Sequence, residues 1–363
     1  MKRIRKYLKM IKYIKYLIYK LKYKLNQVPR FTNIRIETTN RCGCSCFMCP
    51  ITKMTRPKGQ MSIEQLKIIL DKLSYIDYPV SFHLHGHGEA LLCKDLPERI
   101  KLIRESNAKF NPYIITTFAY NLDREWLESL FKSGLRDFRI SLYAYNSESY
   151  LKIHGSKNFD YVVQNLKYLS ELKDEYSLNF RIELDDFGKN YPEGIVAENQ
   201  IKEREEFIKF LKSIGLEENI RYLKLHNYGN SNINLPKYEK VIPCSIIWGE
   251  RKNTLQIDWE GNVIPCCFDF DSKIKFGNIY TQSLKEIFTS NTRWNFLKQH
   301  IDCQYIKLCD GCVEYRNQNQ EILSKYKKCA SWGNIFCNIS YTDSHKIIEV
   351  LGLKLKFRKD NNV

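Results

Sequence analysis

From Pro29 onward the chain switches repeatedly between two hydrophobic periods. Short runs rich in β-branched and aromatic residues alternate apolar and polar positions at 33–39, 80–85, 112–118, 137–143, 178–184 and 220–226, which predicts strands there. Between them apolar residues recur every three or four positions, which predicts helices at 62–74, 94–106, 123–133, 159–174 and 200–214. Strands separated by helices run parallel with right-handed crossovers, so the fold class is α/β. Periodicity leaves two architectures open, a doubly wound sheet or a barrel. In both, the chemistry belongs at the C-terminal ends of the strands.

The two ends of the chain read differently. Ile4, Leu8, Ile11, Ile14, Ile18, Leu21 and Leu25 fall at helical spacing, with tyrosines and lysines between them. Residues 1–25 hold ten of the lysines and arginines and no acid, so this helix is basic and amphipathic. Such a helix suits an anionic membrane surface or an acidic partner, or packs its stripe on the protein and leaves its lysines in water. Residues 227–243, with Asn, Gly and Pro, read as a linker. After it, Glu260-Gly261 between two alternating runs signals a β-hairpin.

Composition narrows the class. With 363 residues, 43% hydrophobic and 13% aromatic, the chain can bury a large core and fits one large domain plus a smaller one. No run of 18 apolar residues exists, and lysines interrupt the N-terminal apolar positions, so neither a membrane span nor a signal peptide is expected. The 13 cysteines cluster at short spacings, and without a secretory signal they read as metal sites in a reducing compartment. The expected location is therefore cytoplasmic, with a peripheral position at the inner membrane surface if the basic helix binds lipid. A net charge of +17 by itself says little about a partner, and no RNA-binding module is recognisable, so nucleic acid is not an expected partner.

The chemistry starts where the first strand ends. Cys42, Cys46 and Cys49 sit within eight residues of one loop, and thiolates so placed converge on a soft centre, an Fe–S cluster or zinc. Three cysteines leave a fourth coordination position open for a ligand. The run Glu37-Thr-Thr-Asn-Arg-Cys42-x3-Cys46-x2-Cys49-Pro50 resembles the signature of radical S-adenosylmethionine (radical SAM) enzymes. Cys44 stands where that family usually has a small residue, and the matching spacing selects Cys42, Cys46 and Cys49. The resemblance implies a partial (β/α)6 TIM-type barrel whose three cysteines hold a [4Fe–4S] cluster, with SAM on the open iron. It also implies reductive SAM cleavage to a 5′-deoxyadenosyl radical, with a flavodoxin or ferredoxin as electron donor.

Further segments carry the resemblance onward. Gly86-His87-Gly88-Glu89-Ala90-Leu91 is similar to the family's Gly-x-Gly-Glu-Pro-Leu turn, placing Gly88 and Glu89 at the amino group of SAM. By the same resemblance Phe47, Met48 and Thr117 lie near the cofactor, and Ser141 donates to its ribose. His154-Gly155 resembles a helix-entry pattern, usually Arg-Gly, of structural character. Arg181 and Glu183 share one strand face, and Arg181 is the expected contact for the SAM carboxylate or the substrate. His83, His85 and His87 also share a face, but at about 7 Å per two residues they are too far apart for one tetrahedral ion.

A second set follows: Cys244, Gly261-x4-Cys266, Cys267, Cys303 and Cys309-x2-Cys312. It resembles the SPASM or shortened twitch domain, a small α+β Fe–S module that carries auxiliary clusters. The next cysteine after Cys312 is Cys329, so the two-cluster pattern is broken and four ligands remain: Cys244, Cys266, Cys309 and Cys312. Cys267 competes with Cys266, and a four-cysteine zinc ribbon stays open on the residues alone. The expected domains are the helix at 1–28, the barrel at 29–230, the auxiliary-cluster domain at 240–330 and a helical tail at 331–363.

The resemblance implies hydrogen abstraction from a small-molecule or glycan substrate of sugar, cell-surface or natural-product pathways. The outcome is oxidation through the auxiliary cluster, or epimerisation with Cys267, Cys303, Cys329 or Cys337 returning a hydrogen atom. Peptide and RNA substrates are the alternatives, with a non-catalytic zinc- or Fe–S-binding protein as the remote one. No leader-binding domain precedes residue 30, which points away from a peptide.

Overall fold

The computed structural model describes residues 29–185, 199–223, 244, 253–302, 304–310 and 312, most of 10–21, and the backbone of three strands between 337 and 358. The expected linker at 227–243 falls outside these residues, as do Cys303 and Cys329.

Six strands, β1 (Asn33–Ile36), β2 (Val80–His83), β3 (Phe110–Thr116), β4 (Asp137–Ser141), β5 (Asn179–Asp185) and β6 (Ile220–Leu223), lie side by side in chain order, all parallel. A doubly wound sheet reverses its strand order at a switch point. This sheet does not, so it is the partial barrel.

Strand parity divides the barrel wall. Even positions (Ile34, Ile36, Phe82, Ile114, Phe138, Ile140, Ile182) are buried beneath the helices. Odd positions (Arg35, Arg139, Ser141) face the lumen and line a cavity. The expected helices appear as Ile63–Lys72, Leu96–Ser106, Arg124–Lys132, Phe159–Leu172 and Asn199–Ser213. One helix was not expected, Ser147–His154. Its pattern is short and polar, and its ends define it: Asn146 and Ser149 form a capping box, and Gly155 closes it at φ +61°.

The second domain continues the first one's sheet. β7 (Thr254–Ile257) pairs in parallel with β1, Asn33 opposite Thr254, and β8 (Asn262–Ile264) and β9 (Gly277–Asn278) extend it antiparallel. The β7–β8 turn uses Gly261 at φ +84°, as the Glu-Gly signal implies. Asn291–Ile301 is the longest helix described beyond β9. Tyr16 of the N-terminal helix packs its ring edge-on to Trp294 at 5.5 Å, in a small cluster with Leu297 and Ile301. Ile18 and Leu21, which the periodicity assigns to a buried stripe, are exposed.

The tail corrects one expectation. The described residues between 337 and 358 are not helical but form an antiparallel sheet, β10 (Cys337–Tyr341), β11 (His345–Val350) and β12 (Leu353–Arg358). Leu353-Lys-Leu-Lys-Phe-Arg alternates with period two, and β11 is rich in β-branched residues, so strand pairing satisfies both better than a helix.

Candidate active site and the two cysteine sets

The loop after β1 is held by its own polar residues. Glu37, almost wholly buried, accepts two 2.6 Å bonds from Arg56 and further bonds from the backbone N–H groups of His87 and Trp259. Thr39 Oγ1 donates to the Gly59 carbonyl, and the Asn40 side chain accepts from Gly59 N–H and donates to the Pro57 carbonyl, at 2.7, 2.8 and 2.8 Å. The Glu-Thr-Thr-Asn run thus fixes a strap, residues 54–60, under the cysteine loop. The same strap reaches the second domain: Arg56 Nε donates to the Phe270 carbonyl and Thr55 N–H to Asp271, both at 2.7 Å.

Cys42, Cys46 and Cys49 line one cavity of 390 Å³ at the C-terminal strand ends, together with Met48, Gly88, Glu89, Thr117 and Ser141. Phe47 does not line it. Its N–H bonds the Ile153 carbonyl at 3.1 Å and its ring packs on the core. Cys44 is buried, its Sγ 3.9 Å from Thr117 Oγ1, and is not on the cavity wall. Cys46 Sγ lies 3.2 Å from Nδ1 of the fully buried His154. Burial pushes the Cys49 thiol up to about 11, and the bond with Cys44 together with burial raises Cys42 further. Thiolate charge on this loop therefore calls for a cation beside it.

Glycines and one carboxylate shape the facing turn. A Cβ on Gly88 would stand 2.2 Å from the Thr39 carbonyl oxygen, so only glycine lets the two loops meet. Glu89 accepts from Leu91 N–H, Thr117 N–H and Thr117 Oγ1 at 3.2, 2.9 and 3.1 Å, with the Thr116 hydroxyl as a further donor. Burial holds its carboxyl above the usual carboxylate range.

Deeper in the lumen, His85 is buried with neither ring nitrogen hydrogen-bonded among the described residues. Burial and nearby Arg35 keep its pKa well below the ordinary value, so the ring is neutral. His87 lines the same cavity and donates Nε2–H to the Cys267 carbonyl at 2.5 Å. Burial depresses His87 to about 4.

Arg181 departs from expectation. It is exposed and lines a second cavity with Asp137, Asn179 and Arg221, at the N-terminal ends of β4 and β5. The residue that pairs Glu183 is Arg139, at 2.7 Å across the β4–β5 ladder, and Arg139, like Arg35, lines the main cavity. Diagonal cross-strand neighbours compete with residues two apart on one strand, and here the diagonal partner wins.

The second set is gathered from dispersed segments. Burial, and the closeness of Cys267, Cys309 and Cys312, raise the Cys266 thiol well above its ordinary value. Cys244 is buried. Adjacent Cys267 instead lines the barrel cavity. Both lie in one turn: Asp269 N–H bonds the Cys266 carbonyl, and its carboxylate accepts from Lys273 and Ile274 N–H. Cys337 opens β10. Among the described residues no cysteine is in a disulfide, and no three His, Cys, Asp or Glu are close enough to share one metal ion. In a four-iron cluster each thiolate takes its own iron, and grouped cysteine thiols are the donor type that such a cluster requires.

Arg35 and Arg139 escaped the motif reading, although strand parity made them accessible. His154 was read only as part of a helix-entry pattern, and its place behind Cys46 depended on the unexpected helix.

Comparisons with known proteins agree with this architecture. A model of the radical SAM superfamily matches residues 36–180, and one of an iron-sulfur cluster-binding domain matches 241–313. The chain is similar to the S-adenosyl-L-methionine-dependent 2-deoxy-scyllo-inosamine dehydrogenase of Niallia circulans, 23% identical over 295 residues, covering 80% of this chain and 96% of that enzyme. A probable GTP 3′,8-cyclase of Archaeoglobus fulgidus is 29% identical over 141 residues, 39% of this chain and 45% of the cyclase. The solved structure of BtrN in complex with AdoMet and 2-DOIA superposes with a TM-score of 0.53 at 22% identity, covering 79% of this chain and 94% of that one. Histidine-tagged anSMEcpe with bound AdoMet gives 0.52 at 17% identity, covering 83% and 94%. At such identities the structural likeness establishes the fold alone.

Proposed function

This chain belongs to the radical SAM superfamily and carries a C-terminal SPASM domain, and from that premise we propose that it oxidises a polyhydroxylated small molecule, a sugar or aminocyclitol, at a carbinol carbon. The observation that carries the reading is the single cavity in which the three-cysteine loop faces Gly88, Ser141 and an unpartnered neutral His85. The likeness to a dehydrogenase over 96% of its length supports oxidation. When bound, the SAM-site [4Fe–4S] cluster and SAM supply an electron and a hydrogen-abstracting 5′-deoxyadenosyl radical, and the auxiliary cluster supplies an acceptor for the substrate's electron.

The protein's residues do the rest. Cys42, Cys46 and Cys49 hold the first cluster, and Cys244, Cys266, Cys309 and Cys312 the auxiliary one. Gly88 lets the ligand approach backbone, Glu89 takes an ammonium N–H, and Ser141 takes a ribose hydroxyl. His85 and Arg35 orient substrate hydroxyls on the cavity floor, and the enclosing loops exclude water. The reducing electron comes from a flavodoxin or ferredoxin.

The test is anaerobic turnover with carbinol-deuterated aminocyclitols and sugars. Oxidation predicts one ketone per 5′-deoxyadenosine, with the label carried into 5′-deoxyadenosine. A second reading, epimerisation, is favoured by the position of Cys267 on the cavity wall. It predicts an inverted alcohol carrying solvent hydrogen, and that product would replace the first reading.

We also propose that the N-terminal helix rests on an anionic membrane surface. Among the described residues no helix is long and apolar enough to cross a membrane. With Tyr16 docked on Trp294, the helix leaves Met10, Tyr13, Leu17, Ile18 and Leu21 exposed beside its lysines, an apolar stripe flanked by positive charge. Sedimentation with anionic liposomes checks this. Deleting residues 1–28 should abolish binding, and unchanged binding, or a preference for tRNA with steep salt dependence, would remove the idea.

A further inference from the structure

His154 sits behind the cysteine loop, with both ring nitrogens engaged. Nε2 faces the backbone N–H of Tyr143 at 3.3 Å and therefore accepts. A neutral imidazole that accepts at Nε2 carries its proton on Nδ1. Nδ1 in turn lies 3.2 Å from Cys46 Sγ, so the N–H points at the sulfur. We propose that His154 is a positioning residue that donates a hydrogen bond to the Cys46 thiolate and raises the reduction potential of the cluster on this loop.

The ring cannot easily leave that orientation. It stacks between Tyr150, with centroids 4.2 Å apart, and Tyr143 at 5.7 Å, and it is wholly buried. The helix end that carries it is zipped to the loop: Ser45 N–H bonds the His154 carbonyl and Phe47 N–H the Ile153 carbonyl, at 2.9 and 3.1 Å. A Cβ on Gly155 would stand 2.0 Å from Ser45 Oγ, so the glycine that ends the helix also lets the loop close on it. Donors to a cluster's thiolate sulfurs withdraw charge and favour the reduced state, and such outer partners tune a centre without ligating it. Cys42, by contrast, accepts from the Cys44 backbone N–H at 3.4 Å. Among the described residues only Cys46, of the three, has a side-chain donor as close as 3.2 Å, which makes the cluster's attachments unequal.

The inference rests on the assignment of Cys42, Cys46 and Cys49 as cluster ligands, and the test separates the two. The reconstituted full-length enzyme is titrated with reductant while the EPR signal that changes on adding SAM is followed. His154→Phe should keep that signal and the wild-type iron content and shift its midpoint to a more negative potential. His154→Gln, which keeps an N–H donor, should recover part of the shift. An unchanged midpoint in His154→Phe at full iron content overturns the proposal. If that variant fails to assemble, wild-type enzyme with ¹⁵N-labelled histidine decides: a nitrogen coupling to the SAM-sensitive signal is expected, and its absence overturns the proposal. A protein with no SAM-sensitive signal at all refutes the ligand assignment instead.

Discussion

The two cysteine sets reach similar chemistry by opposite routes. The first occupies eight residues of one loop, and its support is local: Glu37, Thr39 and Asn40 bind the strap at 54–60, and His154 backs Cys46. Its thiols look onto an open cavity. The second brings Cys266 close to Cys309 and Cys312 from separate segments, while adjacent Cys267 lines the barrel cavity. A three-thiol loop beside a cavity leaves a position for a ligand, whereas four thiols can saturate a cluster. On the proposed assignment one set reacts and the other stores or relays an electron.

Removing ligands breaks the comparison most sharply. Cys42→Ala, Cys46→Ala or Cys49→Ala should lower iron by about 4 per chain and reduce 5′-deoxyadenosine formation to background. Cys309→Ala should remove about the same iron yet keep SAM cleavage while losing the oxidised product. Iron analysis and chromatography of the nucleoside check both, and equal loss of SAM cleavage in all four variants would erase the distinction between the sets.

The strap between the sets gives the next effect. Arg56 and Glu37 are 7% and 2% exposed, so Arg56→Met strands a buried carboxylate. The expected loss is about 3–5 kcal/mol, read as a fall in denaturation midpoint. The double variant Glu37→Gln/Arg56→Met should recover most of it, because neither partner then carries an unpaired charge.

A smaller effect sharpens the electrostatics. Burial depresses His87 to about 4 and His154 to about 3, against the ordinary value of 6.5. Above pH 6.5 both are neutral folded or unfolded. As pH falls below 6.5 toward 4 the unfolded chain gains protons that the folded one refuses, so stability falls by about 1.4 kcal/mol per pH unit for each histidine. Chemical denaturation between pH 7 and 5 checks this, and His87→Gln should remove about a third of the histidine contribution, because buried His85 is depressed as well. Smallest of all, with Cys266 as the proposed ligand and Cys267 on the cavity wall, Cys267→Ala should leave iron content and SAM cleavage at wild-type levels.

Legibility in the sequence followed the same divide. The six parallel strands were visible because each alternates a buried aliphatic face with a lumenal one, Ile34 against Arg35 and Ile140 against Arg139. Their order was not, since periodicity carries no information on neighbours, and only the β1-to-β6 ladder separates a barrel from a doubly wound sheet. The three-cysteine spacing was readable because the loop is local. The choice between Cys266 and Cys267 was not, because a turn completed by Asp269, Lys273 and Ile274 aims them. Arg181 illustrates the limit of parity: it shares a face with Glu183, yet the ladder gives Glu183 to Arg139.

The central claim is that Cys42, Cys46 and Cys49 hold a cluster that cleaves SAM. Its most direct test is anaerobic reconstitution followed by reduction in the presence of SAM, with iron and nucleoside measured on one sample. The account predicts about 8 iron atoms per chain in the full-length protein and formation of 5′-deoxyadenosine and methionine. A folded protein that takes up zinc but no iron, or binds iron and leaves SAM intact under strong reductant, would contradict it.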